Sequence, residues 1–265
     1  MRLFPYTRKA ITAVGREGLV FVETLGSAVS YSGQIARFIL SGQFNIRHFF
    51  QQLSFVGIDT LGISLIMTTF SGMVISLQIA KEMVKQGAGD YVGALVSMAL
   101  IRELAPIMTA FAVIAMAGSA YAAELSTMKI TNQVNALRVL HVDPVRYLVM
   151  PRVLAGIAAL PLMNVVTALA GIMGGLLVSH LLADVGIGQY LDSVKNQTQL
   201  KDVVAMLVKS GVFGFIIFSM STTIGMNATG GSREVGLSTT RAVVWSFVLM
   251  AILDYVLTYM FYGAR

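Results

Sequence analysis

Cysteine is absent from all 265 residues. That excludes a disulfide framework and any zinc, iron–sulfur or thiol chemistry built on cysteine. Charge is scarce as well: 12% of residues are Asp, Glu, Lys or Arg, about half the share of an ordinary soluble domain. No Gly-Lys dipeptide occurs, so there is no phosphate-binding loop whose amides and lysine could cradle ATP. The Gly-x-Ser-x-Gly elbow of serine hydrolases is missing, and His48, His141 and His180 stand far apart without metal-ligand spacing. ATP hydrolysis, metal catalysis and serine-hydrolase chemistry by this chain alone are not expected.

Apolar residues fill the space that charge leaves. They make up 56% of the chain, more than a water-soluble globule could hide. The 19 Lys and Arg exceed the 13 Asp and Glu, a balance that suggests nucleic acid in a soluble protein; in an apolar chain the question is where the charges sit. Residues 1–26 alternate charges with short apolar stretches and lack the continuous core of a cleaved signal peptide, so the start is expected to be retained. No repeat, low-complexity tract or second domain is visible.

The gaps between charges define the spans. Residues 60–80 carry no charge and are long enough to cross a hydrocarbon core about 30 Å thick. Residues 91–123 are apolar except for Arg102 and Glu103, and as a helix would reach roughly 50 Å, so they must overshoot, tilt or bend. Residues 153–183 are uncharged, 203–226 contain only Lys209, and 242–262 contain only Asp254. The fold class expected is therefore an all-α polytopic membrane protein, with an N-terminal interfacial helix and about five transmembrane helices. Arg2, Arg8, Lys9, Arg16, Arg37 and Arg47 precede the first span, and Lys129, Arg138, Arg146 and Arg152 follow the second. Both groups belong in the cytoplasm by the positive-inside rule, which puts the N-terminus inside and the C-terminus outside. The connections 81–90 and 184–202 are balanced or slightly acidic and fall outside.

Residues 1–50 are too polar to span, yet Leu19, Val22, Leu25, Val29, Ile35, Phe38 and Ile39 recur at roughly helical spacing. Such a segment lies along the membrane surface, or packs against the bundle. This divides the chain into an amphipathic interfacial or elbow segment, 1–50, and a membrane domain, 51–265.

Three interruptions carry the functional information. Arg102-Glu103, followed by Pro106, either mark a membrane boundary or line a cavity, because charge within a span is expensive and proline favours a kink. The cytoplasmic segment 124–144 places Ile130, Val134 and Leu137 on one helical face, with Lys129, Gln133 and Asn135 mostly elsewhere. It suits a docking helix for a soluble partner, or any interfacial loop helix, and Asp143-Pro144 reads as N-cap and first-turn proline of the next helix. Small residues cluster at 118–123 and at Gly171, Gly174 and Gly175, which helix packing in lipid explains without further function. Lys209 and Asp254, each alone in a span, either face a pore or snorkel towards an interface.

Arg102-Glu103-Leu104-Ala105-Pro106, then Ala117-Gly118-Ser119-Ala120 with Ala122-Ala123-Glu124-Leu125, then Asn135-Ala136-Leu137 and Asp143-Pro144 closely resemble the MlaE (YrbE) permease family. Ser238-Thr239-Thr240-Arg241-Ala242-Val243-Val244 and Leu253-Asp254-Tyr255 resemble its ending. The resemblance covers nearly the whole chain. It implies a non-catalytic, homodimeric permease subunit of an ABC transporter in the bacterial inner membrane, moving phospholipid between inner and outer membranes and so maintaining outer-membrane lipid asymmetry. The implied partners are a cytoplasmic ATPase (MlaF-like) that carries the ATP and magnesium, a periplasmic MCE-domain protein (MlaD-like) and, in the Mla system, a STAS-domain protein (MlaB-like). No cofactor on this chain and no nucleic acid are implied. By position, Ile75, Arg102, Glu103 and Lys209 would lie near the lipid cavity, and Asn132, Gln133, Val134, Leu137, Arg138 and Asp143 would belong to the ATPase-coupling segment. Arg102 would attract the phosphate headgroup, or pair with Glu103 when the cavity is empty. The chain departs from the common pattern at Ala115-Met116, where many relatives carry Gly-Arg, and at Asn132 and Asn135, where they carry acidic residues. The rival classes are a secondary transporter, a permease for another hydrophobic cargo such as sterol, and a non-transporting scaffold.

Overall fold

A chain passing through hydrocarbon must satisfy every backbone N–H and C=O within its own segment, and long apolar runs do so as helices. The structure, a computed structural model, describes residues 4–40 and 45–263 and contains no strand among them. Its helices are α1 (Phe4–Leu40), α2 (Ile46–Lys85), α3 (Gly89–Ile130), α4 (Gln133–Val139), α5 (Val145–Ala183), α6 (Ile187–Gln197), α7 (Leu200–Met226) and α8 (Ser232–Gly263). Five of these, α2, α3, α5, α7 and α8, are long and apolar enough to cross a membrane. The all-α polytopic membrane fold expected from the apolar runs is the one observed.

The spans are longer than the charge-free runs. α2 starts before residue 51, so a domain boundary there cuts through a helix; Asn45 caps it, Oδ1 accepting from the amides of Arg47 at 3.2 Å and His48 at 3.3 Å. Its 40 residues make about 60 Å of helix, twice the hydrocarbon thickness. α1 packs against α7 and the start of α5 through a stripe of Thr24, Ala28, Tyr31 and Ile35, while Val22, Val29, Ile39 and Leu40 remain exposed. It is thus amphipathic and docked on the bundle at once; the Leu19 side chain lies outside the described ones. The connection 184–202 holds a helix that its polarity concealed, α6, whose Tyr190 is fully buried and donates to the Ile172 carbonyl at 3.3 Å. Burial pushes the Tyr190 hydroxyl pKa up.

Lipid offers helices no hydrophobic gain on meeting, so contact depends on close approach and polar bonds. α2 and α5 run parallel: Thr60 meets Met163, Gly72 meets Gly171, and Ser76 donates to the Gly175 carbonyl at 2.6 Å. A Cβ on Gly72 would stand 2.1 Å from the Gly171 carbonyl oxygen, which leaves room for glycine alone. α5 and α7 approach as closely, with a Cβ on Gly214 falling 2.3 Å from the Gly156 carbonyl oxygen. The small residues read from the sequence are packing surfaces.

The bundle has two distinct ends. At one, α6 joins α3, with the Ala94 amide donating to Ser193 Oγ at 2.9 Å. At the other lie Asn45, α4 and the α7–α8 connection, where Tyr31 donates to Asn227 at 3.4 Å and the His48 and Tyr147 rings meet edge-on at 4.9 Å. The α4 end carries Arg37, Arg47, Lys129, Arg138, Arg146, Arg152, Arg233 and Arg241 against Glu23, Glu124, Asp143 and Glu234 among the described side chains.

Candidate functional site

α3 is interrupted by two wide turns of π geometry, Leu100–Leu104 and Ile114–Gly118. Such turns insert an extra residue and recur at functional sites. The first holds Arg102 and Glu103. Pro106 has no N–H to offer the Arg102 carbonyl four residues back, and that carbonyl accepts from Lys209 Nζ at 3.0 Å instead. The proline thus creates the acceptor that a buried lysine uses.

Two further helices complete the cluster. On α7, Asp202 and Lys209 lie two turns apart on one face; on α8, Asp254, Thr258 and Tyr262 recur every fourth residue. Lys209 is completely buried, with its three donors placed on the Arg102 carbonyl, Glu103 Oε2 at 2.8 Å and Asp254 Oδ1 at 2.9 Å. Thr258 donates to the other oxygen of Glu103 at 2.9 Å. One to two turns nearer the α6 end, Arg102 Nε meets Asp202 Oδ1 at 2.9 Å, Tyr262 donates to the same oxygen at 2.9 Å, and the guanidinium lies 4.5 Å above the Tyr262 ring. Two cations face three carboxylates, and Lys201, 5.3 Å from the Tyr262 ring, supplies the third positive charge. Charge this deep in an apolar bundle is tolerated only when paired, and marks function by default.

Arg102, Glu103 and Lys209 are therefore brought together, while Ile75, half-buried on α2, belongs to a helix that contributes no side chain to the cluster. Arg102 and Glu103 do not pair with each other; each reaches a different helix. Lys209 is sealed, whereas the Arg102 and Glu103 side chains keep 27% and 34% of their exposure. Asp202 and Tyr262 went unseen in the sequence because they sit at span ends, although Asp202 shares a helical face with Lys209. The Arg102 pair borders the α6 end of the bundle, and the Lys209 group lies within it.

At the opposite end, residues 124–130 continue α3 rather than opening a separate helix, so only Gln133–Val139 stands alone. Asn132 takes a left-handed turn with φ 61° and accepts from Asn135 Nδ2 at 2.9 Å. Val134 is fully buried and Leu137 half-buried against the main core; Gln133 and Arg138 face out, with Val139 and Leu140. Asp143 Oδ1 accepts from the amides of Val145 at 2.8 Å and Arg146 at 3.3 Å, the N-cap expected before Pro144.

The chain as a whole has relatives among known proteins. The model of the family described as Permease MlaE matches residues 49–260, most of the chain. The chain belongs to the MlaE permease family. A probable ABC transporter permease protein of Synechocystis is 40% identical, covering 92% of both chains. A probable ABC transporter permease protein of Rickettsia felis is 35% identical over 94% of this chain and 96% of its own. The chloroplastic protein TRIGALACTOSYLDIACYLGLYCEROL 1 of Arabidopsis thaliana is 38% identical over 87% of this chain, which spans 66% of its length. The chain is a transporter permease subunit of the ABC class, and that class implies an ATPase partner. Ala115 and Met116, where the sequence is expected to depart from the family pattern, lie exposed on the second wide turn of α3.

Proposed function

We propose that this MlaE permease works as a homodimer that moves phospholipid across the space between two membranes, driven by a partner ATPase at the α4 end. The observation that carries this is the Arg102–Asp202–Tyr262 group at the α6 end of an otherwise apolar bundle. The excess of Lys and Arg at the α4 end supports a cytoplasmic placement for it, with the N-terminus, in the inner membrane of a bacterium. The charged cluster then opens towards the periplasm, where an MCE-domain partner would receive or deliver lipid. The name of the Arabidopsis relative, that of a diacylglycerol lipid, favours a glycerolipid cargo over sterol. α4 is the seat for the ATPase: Val134 and Leu137 anchor it to the core, while Gln133, Arg138 and its apolar end face outward.

In this reading Arg102 is the headgroup ligand and Lys209 the post that holds its helix. A phosphate approaching Arg102 competes with Asp202 for the same guanidinium, a charge-assisted exchange in a poorly hydrated site. Arg102→Ala, in the complex reconstituted with its ATPase, is expected to cut lipid transfer about tenfold or more while assembly stays normal. Unchanged transfer would end the headgroup role. Asp202→Asn has the opposite sign: by loosening the hold on Arg102 it is expected to raise the lipid retained on the purified complex, read by native mass spectrometry. Equal occupancy would show that lipid and Asp202 do not compete.

A further inference from the structure

The second distinctive surface lies at the other end of the bundle. Between α2 and α5 runs a cavity of about 390 Å³ lined by Phe50, Gly57, Leu61, Ala159, Leu162 and Val166, with Ser54 its one polar side chain. It follows α2 from Phe50 to Leu61, about 16 Å of helix, which matches one leaflet of a hydrocarbon core about 30 Å thick. The exposed carboxylate of Asp59 is not among its lining residues. Below its α4 end, between the same two helices and the connection that leads into α5, lies a polar cavity of about 300 Å³ lined by His48, His141, Asp143, Arg146 and Tyr147 among others. The His48–Tyr147 ring contact joins α2 to α5 at this point.

We infer that these two cavities form one site for a zwitterionic phospholipid of the leaflet at the α4 end, its headgroup in the polar cavity and an acyl chain in the groove. The chemistry of the polar cavity is two-signed. Arg146, the imidazoles of His48 and His141 and the Tyr147 hydroxyl suit a phosphate. Asp143, whose two capping bonds both end on Oδ1, suits a protonated amine. A headgroup carrying both charges matches this wall better than a purely anionic one. A second copy of the chain would match the apolar groove but leave the two-signed cavity unexplained. This site is separated from the Arg102 cluster by the thickness of the bundle, and it does not depend on the cargo proposed for that cluster.

The test uses the full chain in nanodiscs containing phosphatidylethanolamine with a photoreactive group on one acyl chain, with labelled peptides mapped by mass spectrometry. Labelling is expected to concentrate on residues 50–61 and 159–166 relative to the other exposed apolar faces. Gly57→Trp fills the groove, since a Cβ at Gly57 meets nothing within 4 Å, and is expected to abolish this labelling without lowering the melting temperature. His48→Ala with Arg146→Ala, or diacylglycerol as the probe, should reduce it about fivefold or more. Uniform labelling of all lipid-facing helices, equal labelling by diacylglycerol, indifference to Gly57→Trp, or cross-links between two copies through the groove would each overturn the site. Because lipid transfer is not the readout, failure here leaves the Arg102 reading untouched, and failure of that reading leaves this one.

Discussion

Replacing Lys209 by Met is expected to destabilise the protein by about 3–5 kcal/mol, the usual effect of removing one partner from a buried ion pair. The methionine fills the space of the lysine stem but leaves Glu103, Asp254 and the Arg102 carbonyl facing a void in charge. Asp254 and the Arg102 carbonyl, inside the bundle, have little water to turn to. Thermal melting in detergent, or the yield of a monodisperse species, measures the loss. Adding Glu103→Gln and Asp254→Asn to Lys209→Met removes the uncompensated charges, and most of the lost stability should return. If the triple variant is as unstable as the single one, shape rather than charge holds this region together.

Gly72→Leu should act by a different route and as strongly. The opposing atom is the Gly171 carbonyl oxygen, 2.1 Å from where a Cβ would stand, and backbone cannot swing aside as a side chain can. α2 and α5 must part along a contact that also carries Ser76, Gly175 and Ser179. Overpacking of flexible cores costs about 1–3 kcal/mol, and a rigid backbone contact should exceed the top of that range. Gly62→Ala, on the same helix with nothing within 4 Å of its Cβ, is the control and should be neutral or stabilise by about 0.5 kcal/mol through helix propensity. Equal melting temperatures for Gly72→Leu and Gly62→Ala would contradict the packing described for α2 and α5.

The parts of this fold that follow from hydrophobicity are legible in the sequence, and those that three-dimensional partners decide are not. Residues 91–123 are too long for one straight span, and Pro106 marks the neighbourhood of the first interruption, but the two wide turns have no local signature in the sequence. The connection 184–202 read as a polar loop because Tyr190, which anchors α6, is a single buried aromatic among charged neighbours. In the candidate site, Arg102, Glu103 and Lys209 were legible as charges in apolar runs. Their pairing was not: Asp202 and Tyr262 lie at helix ends, where charge and phenol are ordinary, and only the bundle brings them to Arg102. At α4, Val134 and Leu137 face the core, but Ile130, expected on the same helical face, belongs to α3, because 124–130 continues the helical pattern of α3 unbroken until Asn132 turns left-handed.

The most direct test of a phospholipid-moving permease is transfer from proteoliposomes that hold this chain with its ATPase to acceptor membranes, with and without ATP. Transfer that needs ATP, and that falls about tenfold or more in Arg102→Ala while ATP hydrolysis persists, is the expected result. A complex that hydrolyses ATP and moves no phospholipid in either direction would contradict it.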